Sequence, residues 1–157
     1  DQHHVKATFF CVGDNIRKHP EVYTWLRQRG HAVGNHTHNH LNGWKTPADE
    51  YVRNVRFCQK FVNSEKRLFR PPYGRISRKQ AAALRQDGYE IVMWDVLSGD
   101  FDQKLPAEKC LRKTIAATEP GSIVVFHDNR KAEGCLTHAL PRYIEHCLEK
   151  GFVFDTL

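Results

Sequence analysis

The stretch VKATFFCVGD at residues 5–14 decides the fold class, because it has the pattern of a strand that turns directly into a helix. Residues 5–12 are rich in β-branched and aromatic side chains and stop at Gly13, which is typical of a strand. Asp14 is a suitable N-cap for a helix that continues to Gly30. The run therefore predicts one strand followed by one helix.

The same alternation repeats along the rest of the chain. A short strand is predicted to end at the histidines of residues 36–40, and further strands are predicted at residues 68–70, 89–94, 122–126 and 152–154. Helices are predicted at residues 47–62, 77–87, 106–118 and 135–150. Strands that alternate with helices imply right-handed crossovers, so we predict an α/β fold with a parallel sheet or barrel.

Length and composition limit the classes of protein that this chain can be. A chain of 157 residues, 40% of them hydrophobic, suits one core, so residues 1–157 are predicted to form one domain. The net charge is +6, but the basic residues are scattered and no recognition helix is apparent, so no nucleic-acid partner is predicted. No apolar run is long enough for a transmembrane segment. The five cysteines have no C-x-x-C spacing, which argues against a disulfide framework and weakly favours a reducing compartment.

His36 and His40 lie four residues apart where a predicted strand ends. Chemistry in parallel α/β folds is found at the carboxyl ends of strands, and neutral imidazole is a common zinc ligand. The pair is interpreted either as two metal ligands or as a solvated loop. His38, between them, is better interpreted as a surface histidine or one that supports the ligands.

Arg70 opens the rigid turn RPPYG, in which two prolines fix the backbone. Its guanidinium suits either a catalytic carboxylate or a structural salt bridge. Tyr73 in the same turn is interpreted as the wall of a sugar site or as ordinary packing.

Asp100 and Phe101 belong to an acidic, aromatic segment after the strand predicted at residues 89–94, and His127 ends the apolar strand predicted at residues 122–126. Aspartates in loops are usually caps or turns, so a catalytic role for Asp100 is one of two interpretations. A carboxylate beside His127 would keep the imidazole a proton donor. The other interpretation of His127 is a histidine that only caps a strand.

Together these motifs resemble the NodB-homology domain of the polysaccharide deacetylases, carbohydrate esterase family 4. They are Ala7-Thr8-Phe9-Phe10 with Gly13, the His-Thr-x-x-His segment at His36 to His40, Arg70-Pro71-Pro72-Tyr73, Asp100-Phe101 and Phe126-His127-Asp128. The resemblance covers nearly the whole chain and implies an irregular parallel β/α barrel with fewer than eight strands.

The resemblance also implies a role for each residue. His36 and His40 match two imidazole ligands of a divalent metal, usually zinc, with cobalt, nickel or manganese as alternatives. Arg70 matches an arginine that orients the catalytic base. Asp100 matches an acid that tunes the catalytic histidine. His127 matches that histidine, which protonates the leaving amine.

The implied function is metal-dependent hydrolysis of N-acetyl, or less often O-acetyl, groups on an acetylated glycan, with Tyr73 and Phe101 at the substrate. Phe101 stands where the family commonly has tryptophan, and Phe126 where it commonly has leucine, which alters substrate shape more than chemistry. The alternative function is a catalytically inactive carbohydrate-binding domain of the same fold.

One motif of the family is expected upstream of residues 5–12, at the end of a first strand that this chain lacks. It is an Asp-Asp pair that supplies the general base and the third metal ligand. We therefore expect the chain as given to be N-terminally incomplete, to bind metal weakly and to be inactive, whereas the intact protein is active. Its compartment, cytoplasm or cell envelope, and its oligomeric state stay open.

Overall fold

The computed structural model describes residues 2–157. They divide into two compact units, one formed by residues 6–93 with 155–157 and the other by residues 2–5 with 94–154. Compact units of this kind also occur within single domains, so the single domain stays a prediction. Among the described residues, no helix is both long and apolar enough to cross a membrane.

The first unit contains a four-stranded parallel sheet in the order β1-β2-β3-β4. Its strands are β1 (Thr8–Cys11), β2 (Ala32–Asn35), β3 (Leu68–Phe69) and β4 (Glu90–Ile91). The connecting helices are α1 (Gly13–Lys18), α2 (Pro20–Gln28), α3 (Ala48–Gln59) and α4 (Arg78–Gln86). Each helical crossover thus brings the chain back to the side of the sheet where the strands begin. The carboxyl ends of all four strands therefore lie together on the opposite side.

A buried cluster between the sheet and its helices stabilises the first unit. Tyr51 and Val55 of α3, Phe69 of β3, Leu84 of α4 and Tyr89 pack there with exposures of 4% or less. Burial of one large apolar side chain contributes about 1.5–3 kcal/mol, so this cluster is a main source of the unit's stability.

The second unit has a smaller parallel sheet, in which β5 (Val96–Leu97) pairs with β6 (Val124–Val125). Helix α5 (Ala107–Ala117) packs against helix α6 (Glu133–Glu149). Their shared core contains the buried residues Cys110, Leu111, Ala139, Tyr143, Ile144 and Cys147. All five cysteines of the chain are free thiols.

The predicted alternation of strands and helices is confirmed, but three elements differ. The helix predicted from Asp14 to Gly30 is two helices, because Pro20 starts α2 and disfavours the helical conformation at His19, which has φ −134° and ψ 59°. The strand predicted at residues 89–94 ends at Ile91, and the chain forms the unpredicted β5 instead.

The strand predicted at residues 152–154 is wrong. Phe152 and Phe154 pack against the α5–α6 core, whereas Val153 is 90% exposed. The alternation of apolar and exposed side chains here reflects packing onto helices and involves no strand pairing.

Candidate active site

His36, His40 and Tyr73 form what we call the histidine cluster, at the carboxyl end of β2 and in the turn after β3. The ring centroids of His36 and His40 lie 5.0 Å apart. His36 Nδ1 lies 2.6 Å from the carbonyl oxygen of Arg70, and His40 Nδ1 lies 3.2 Å from the Tyr73 hydroxyl. A carbonyl only accepts hydrogen bonds, so His36 carries its proton on Nδ1 and its lone pair on Nε2. This is the arrangement commonly found in metal-binding histidines.

The loop that carries these histidines is fixed by hydrogen bonds to buried side chains. Thr37 is fully buried, and its hydroxyl accepts a 3.0 Å hydrogen bond from the Leu41 amide, as expected of a residue that holds the loop. Its own amide donates to Asn35 Oδ1 at 3.0 Å. Thr37, His40 and Tyr73 all have positive φ, at 62°, 55° and 60°. Strained residues of this kind persist only where the surrounding structure holds them, and they are frequent at functional sites.

The histidine cluster fits part of a zinc site. It offers two imidazoles, whereas a catalytic zinc usually takes three protein ligands and a water. Among residues 2–157, no group of three His, Cys, Asp or Glu side chains is arranged to hold a metal ion. A metal held by His36 and His40 therefore needs a further ligand from elsewhere.

Arg70 is buried beside the same strand ends. Its Nε and terminal nitrogen donate to the carbonyls of Val92 and Met93 at 3.3 and 3.0 Å, and the guanidinium lies 4.2 Å from the centre of the Phe10 ring. Burial lowers the pKa of Arg70 to about 10, so the group stays charged at neutral pH. Arg70 thus holds the segment after β4 through its side chain and orients His36 through its carbonyl.

His127 and Asp100 are paired in the second unit. The Asp100 side chain is fully buried, and its Oδ1 lies 2.8 Å from His127 Nδ1. Its Oδ2 accepts a 2.6 Å hydrogen bond from the His127 amide. A carboxylate that accepts from Nδ1–H leaves Nε2 as the atom that exchanges protons, and the His127 side chain is 35% exposed. A histidine held in this way is suited to general acid–base chemistry.

Phe101 forms one side of this pair. Its ring meets the His127 ring edge-on, with centroids 5.1 Å apart, and it is 42% exposed. Phe126 points the other way, into the core beside Tyr143. Phe101 is therefore the aromatic residue of the two that is open to a ligand.

Sequence reasoning missed the residues that surround His38 and Asp100. His38 is not a surface residue, because it is 7% exposed and its ring contacts those of Phe57 and Phe61 at centroid distances of 4.5 and 5.3 Å. The i, i+4 spacing of the two phenylalanines could have indicated this apolar site. The hydroxyl of Ser98 accepts a 3.3 Å hydrogen bond from the Asp100 amide. No pattern in the sequence indicates this contact.

Comparison with known proteins identifies the class. The polysaccharide deacetylase family model matches residues 1–92. A peptidoglycan-N-acetylglucosamine deacetylase of Bacillus cereus is 32% identical, over 99% of this chain and 58% of its own length. The chain therefore belongs to the polysaccharide deacetylase family, as the resemblance predicted, and it spans a little over half of that relative.

Solved structures confirm the predicted fold class. A peptidoglycan N-acetylglucosamine deacetylase in complex with 4-naphthalen-1-yl-N-oxidanyl-benzamide is 31% identical, with a TM-score of 0.93 over 99% of this chain and 75% of that one. A carbohydrate esterase family 4 pseudoenzyme from Bacillus anthracis is 24% identical, with a TM-score of 0.86 over 99% of this chain and 55% of that one. At that identity, the second likeness shows the fold alone.

Proposed function

We propose that the intact protein is a metal-dependent hydrolase that removes N-acetyl groups from a glycan, and so cleaves a carbon–nitrogen bond that is not a peptide bond. The observation that carries the proposal is the pair formed by His127 and the buried Asp100, in a chain of this family. A histidine whose Nδ1 is held by a carboxylate is suited to protonating an amine as it leaves.

The reaction needs three groups. A water oxygen attacks the acetyl carbonyl carbon, the negative charge that develops on the carbonyl oxygen needs a positive centre, and the departing nitrogen needs a proton. The carbon–nitrogen bond then breaks to give acetate and a free amine. In this proposal His127 donates the proton to nitrogen from Nε2, and Asp100 holds the ring and stabilises the imidazolium form.

His36 and His40 are the proposed metal ligands, with zinc favoured over cobalt, nickel or manganese. When bound, the metal supplies the positive centre and lowers the pKa of a water. The Nδ1 hydrogen bond of His36 to the Arg70 carbonyl supports this role, since it selects the tautomer in which Nε2 is the unprotonated nitrogen. The third ligand and the general base are the aspartates that the family resemblance implies, and Arg70 is the residue proposed to orient the base.

The proposed substrate is a glycan that contains N-acetylglucosamine. The name of the Bacillus cereus relative supports this choice, as do two exposed aromatic side chains, Tyr73 and Phe101, at 61% and 42% exposure. Tyr73 touches the proposed metal ligand His40, and Phe101 touches the proposed proton donor His127.

Acetate release tests the proposal. The intact protein is incubated with N-acetylglucosamine oligomers and with peptidoglycan, with added zinc or with a chelator. We expect zinc-dependent acetate release that His127→Ala reduces strongly. Glycan binding without acetate release, in the presence of zinc, would contradict the proposal and support the inactive carbohydrate-binding domain.

A further inference from the structure

Trp44 is a large aromatic side chain that the proposed reaction does not use. It is 68% exposed, more than Trp25, Tyr73 or any phenylalanine among the large exposed hydrophobic residues of the described chain. Tryptophan is highly buried on average, so an indole that projects this far from a folded unit is unusual.

The turn that presents Trp44 is rigid. Its amide donates to Asn42 Oδ1 at 3.0 Å. The Gln80 side chain, which is 1% exposed, donates to the carbonyls of Gly43 and Thr46 at 2.8 and 3.1 Å. A buried amide that holds the backbone on both sides of Trp44 fixes the direction in which its side chain leaves the backbone, which reduces the entropy lost when a ligand binds to it.

This turn adjoins the histidine cluster. A Cβ atom at Gly43 would collide with the carbonyl oxygen of Arg75, so the two backbones touch. The Arg75 guanidinium carbon lies 5.1 Å from the centre of the Trp44 ring. Two residues before Arg75, the hydroxyl of Tyr73 contacts His40. Trp44 therefore contacts a residue two positions along the chain from the partner of His40, and we call Trp44 with Arg75 the tryptophan platform.

We propose that the tryptophan platform is a glycan subsite, where the sugar next to the one that is deacetylated stacks on Trp44. A pyranose ring presents a face of C–H bonds to the electron-rich face of an indole, and arginine donors beside it suit the hydroxyl oxygens at the ring edge. The cation–π contact with Arg75 helps to hold both side chains in place. This inference rests on the proposed function and extends it from the reacting sugar to its neighbour.

Calorimetric titration of the intact protein with N-acetylglucosamine and with its β-1,4-linked tetramer, in the presence of a chelator that prevents turnover, tests the subsite. We expect Trp44→Ala to weaken binding of the tetramer about tenfold, since a well-packed aromatic contact is worth about that much. Binding of the single sugar should not change. Trp44→Phe should keep most of the affinity, because it keeps an aromatic face.

Trp25→Ala is the matched control. Trp25 is also an exposed tryptophan, at 51%, with the Arg29 guanidinium carbon 3.6 Å from its ring centre, but it lies on α2, the helix that leads into the start of β2. Tetramer binding should survive this change. Thermal unfolding should show that both variants fold.

Three results would overturn the subsite: wild-type protein that does not bind the tetramer, equal affinity in Trp44→Ala and wild type, or an equal loss in Trp25→Ala. Because binding is measured without turnover, failure of the subsite is distinct from failure of the proposed function. Trp44-dependent binding without acetate release would contradict only the proposed reaction. Acetate release with tetramer affinity unchanged in Trp44→Ala would contradict only the proposed subsite.

Discussion

The buried carboxylate of Asp100 holds His127 at two points, through the backbone amide at 2.6 Å and through the ring Nδ1 at 2.8 Å. The first bond fixes where the chain leaves β6, and the second fixes the tautomer and the direction of the ring. Because the Asp100 side chain is fully buried, both bonds are shielded from water.

Asp100→Asn should therefore reduce acetate release by about 100-fold or more, the usual contribution of a general acid, while the side-chain shape is kept. The amide cannot replace a carboxylate that accepts from both N–H groups and stabilises an imidazolium. Kinetics with an N-acetylglucosamine oligomer give the rate, and thermal unfolding shows whether the variant is folded.

Asp102→Asn is the control, because Asp102 is an exposed carboxylate only two residues away. Its rate should match that of the wild type. Equal rates for Asp100→Asn and wild type would show that the Asp100 carboxylate does not contribute to the reaction.

Zinc binding tests the histidine cluster without reference to turnover. Residues 2–157 offer two imidazoles and no third ligand beside them, so we expect the 157-residue chain to bind zinc weakly, and His36→Ala or His40→Ala to remove that binding. His146→Ala, in the last turn of α6, is the control. Calorimetry that shows tight, stoichiometric binding at a His36 and His40 site would contradict the incomplete site, and binding unchanged in both variants would contradict the ligands.

The close contact under Trp44 predicts a steric effect on stability. A methyl group at Gly43 would collide with the Arg75 carbonyl and lie 2.8 Å from Gln80 Oε1, so Gly43→Ala should destabilise the protein by about 1–3 kcal/mol. Gly134→Ala in α6 meets nothing within 4 Å and should be neutral or slightly stabilising, since alanine is the better helix former. Urea unfolding measures both, and equal stability of the two variants would contradict the contact.

The ion pair between Arg56 and Asp87 predicts how stability depends on pH. Arg56 Nε lies 2.7 Å from Asp87 Oδ2, and these hydrogen bonds lower the pKa of Asp87. A carboxyl group whose pKa is lowered by folding stabilises the protein above its unfolded value, about 3.9, and loses that effect as the pH falls through the folded value.

Asp87→Asn should therefore be less stable than the wild type at pH 7, and the difference should disappear as the pH falls below about 3.9 and through the lowered pKa of Asp87. Urea unfolding midpoints measured across this range give the comparison. A difference that stays constant down to the lowest pH would show that the charge of Asp87 has no role in it.

The strand–helix alternation could be predicted from sequence because each signal is local: an apolar run, a cap and a stop within a few residues. The same signals put His36, Arg70 and His127 after strands, as the structure has them. By contrast, β5 has two residues and pairs with a strand 28 positions away, at Val96 and Val124, so no local period marks it.

Contacts between residues that are far apart in the chain could not be predicted from the sequence, because no local pattern marks them. Nothing near Asp100 in the chain indicates that it meets His127, and the family resemblance alone gave that role. The false strand at residues 152–154 shows the converse, since its alternating side chains satisfy a helical core instead of a sheet.

The central claim is that the intact protein cleaves the acetamide bond of a glycan. The most direct measurement is to count acetate and free amine in one reaction with the N-acetylglucosamine tetramer and zinc, for the wild type and His127→Ala. N-deacetylation predicts one new amine for each acetate, and strong loss of both in the variant. Neither acetate nor amine from the wild type would contradict the deacetylase function.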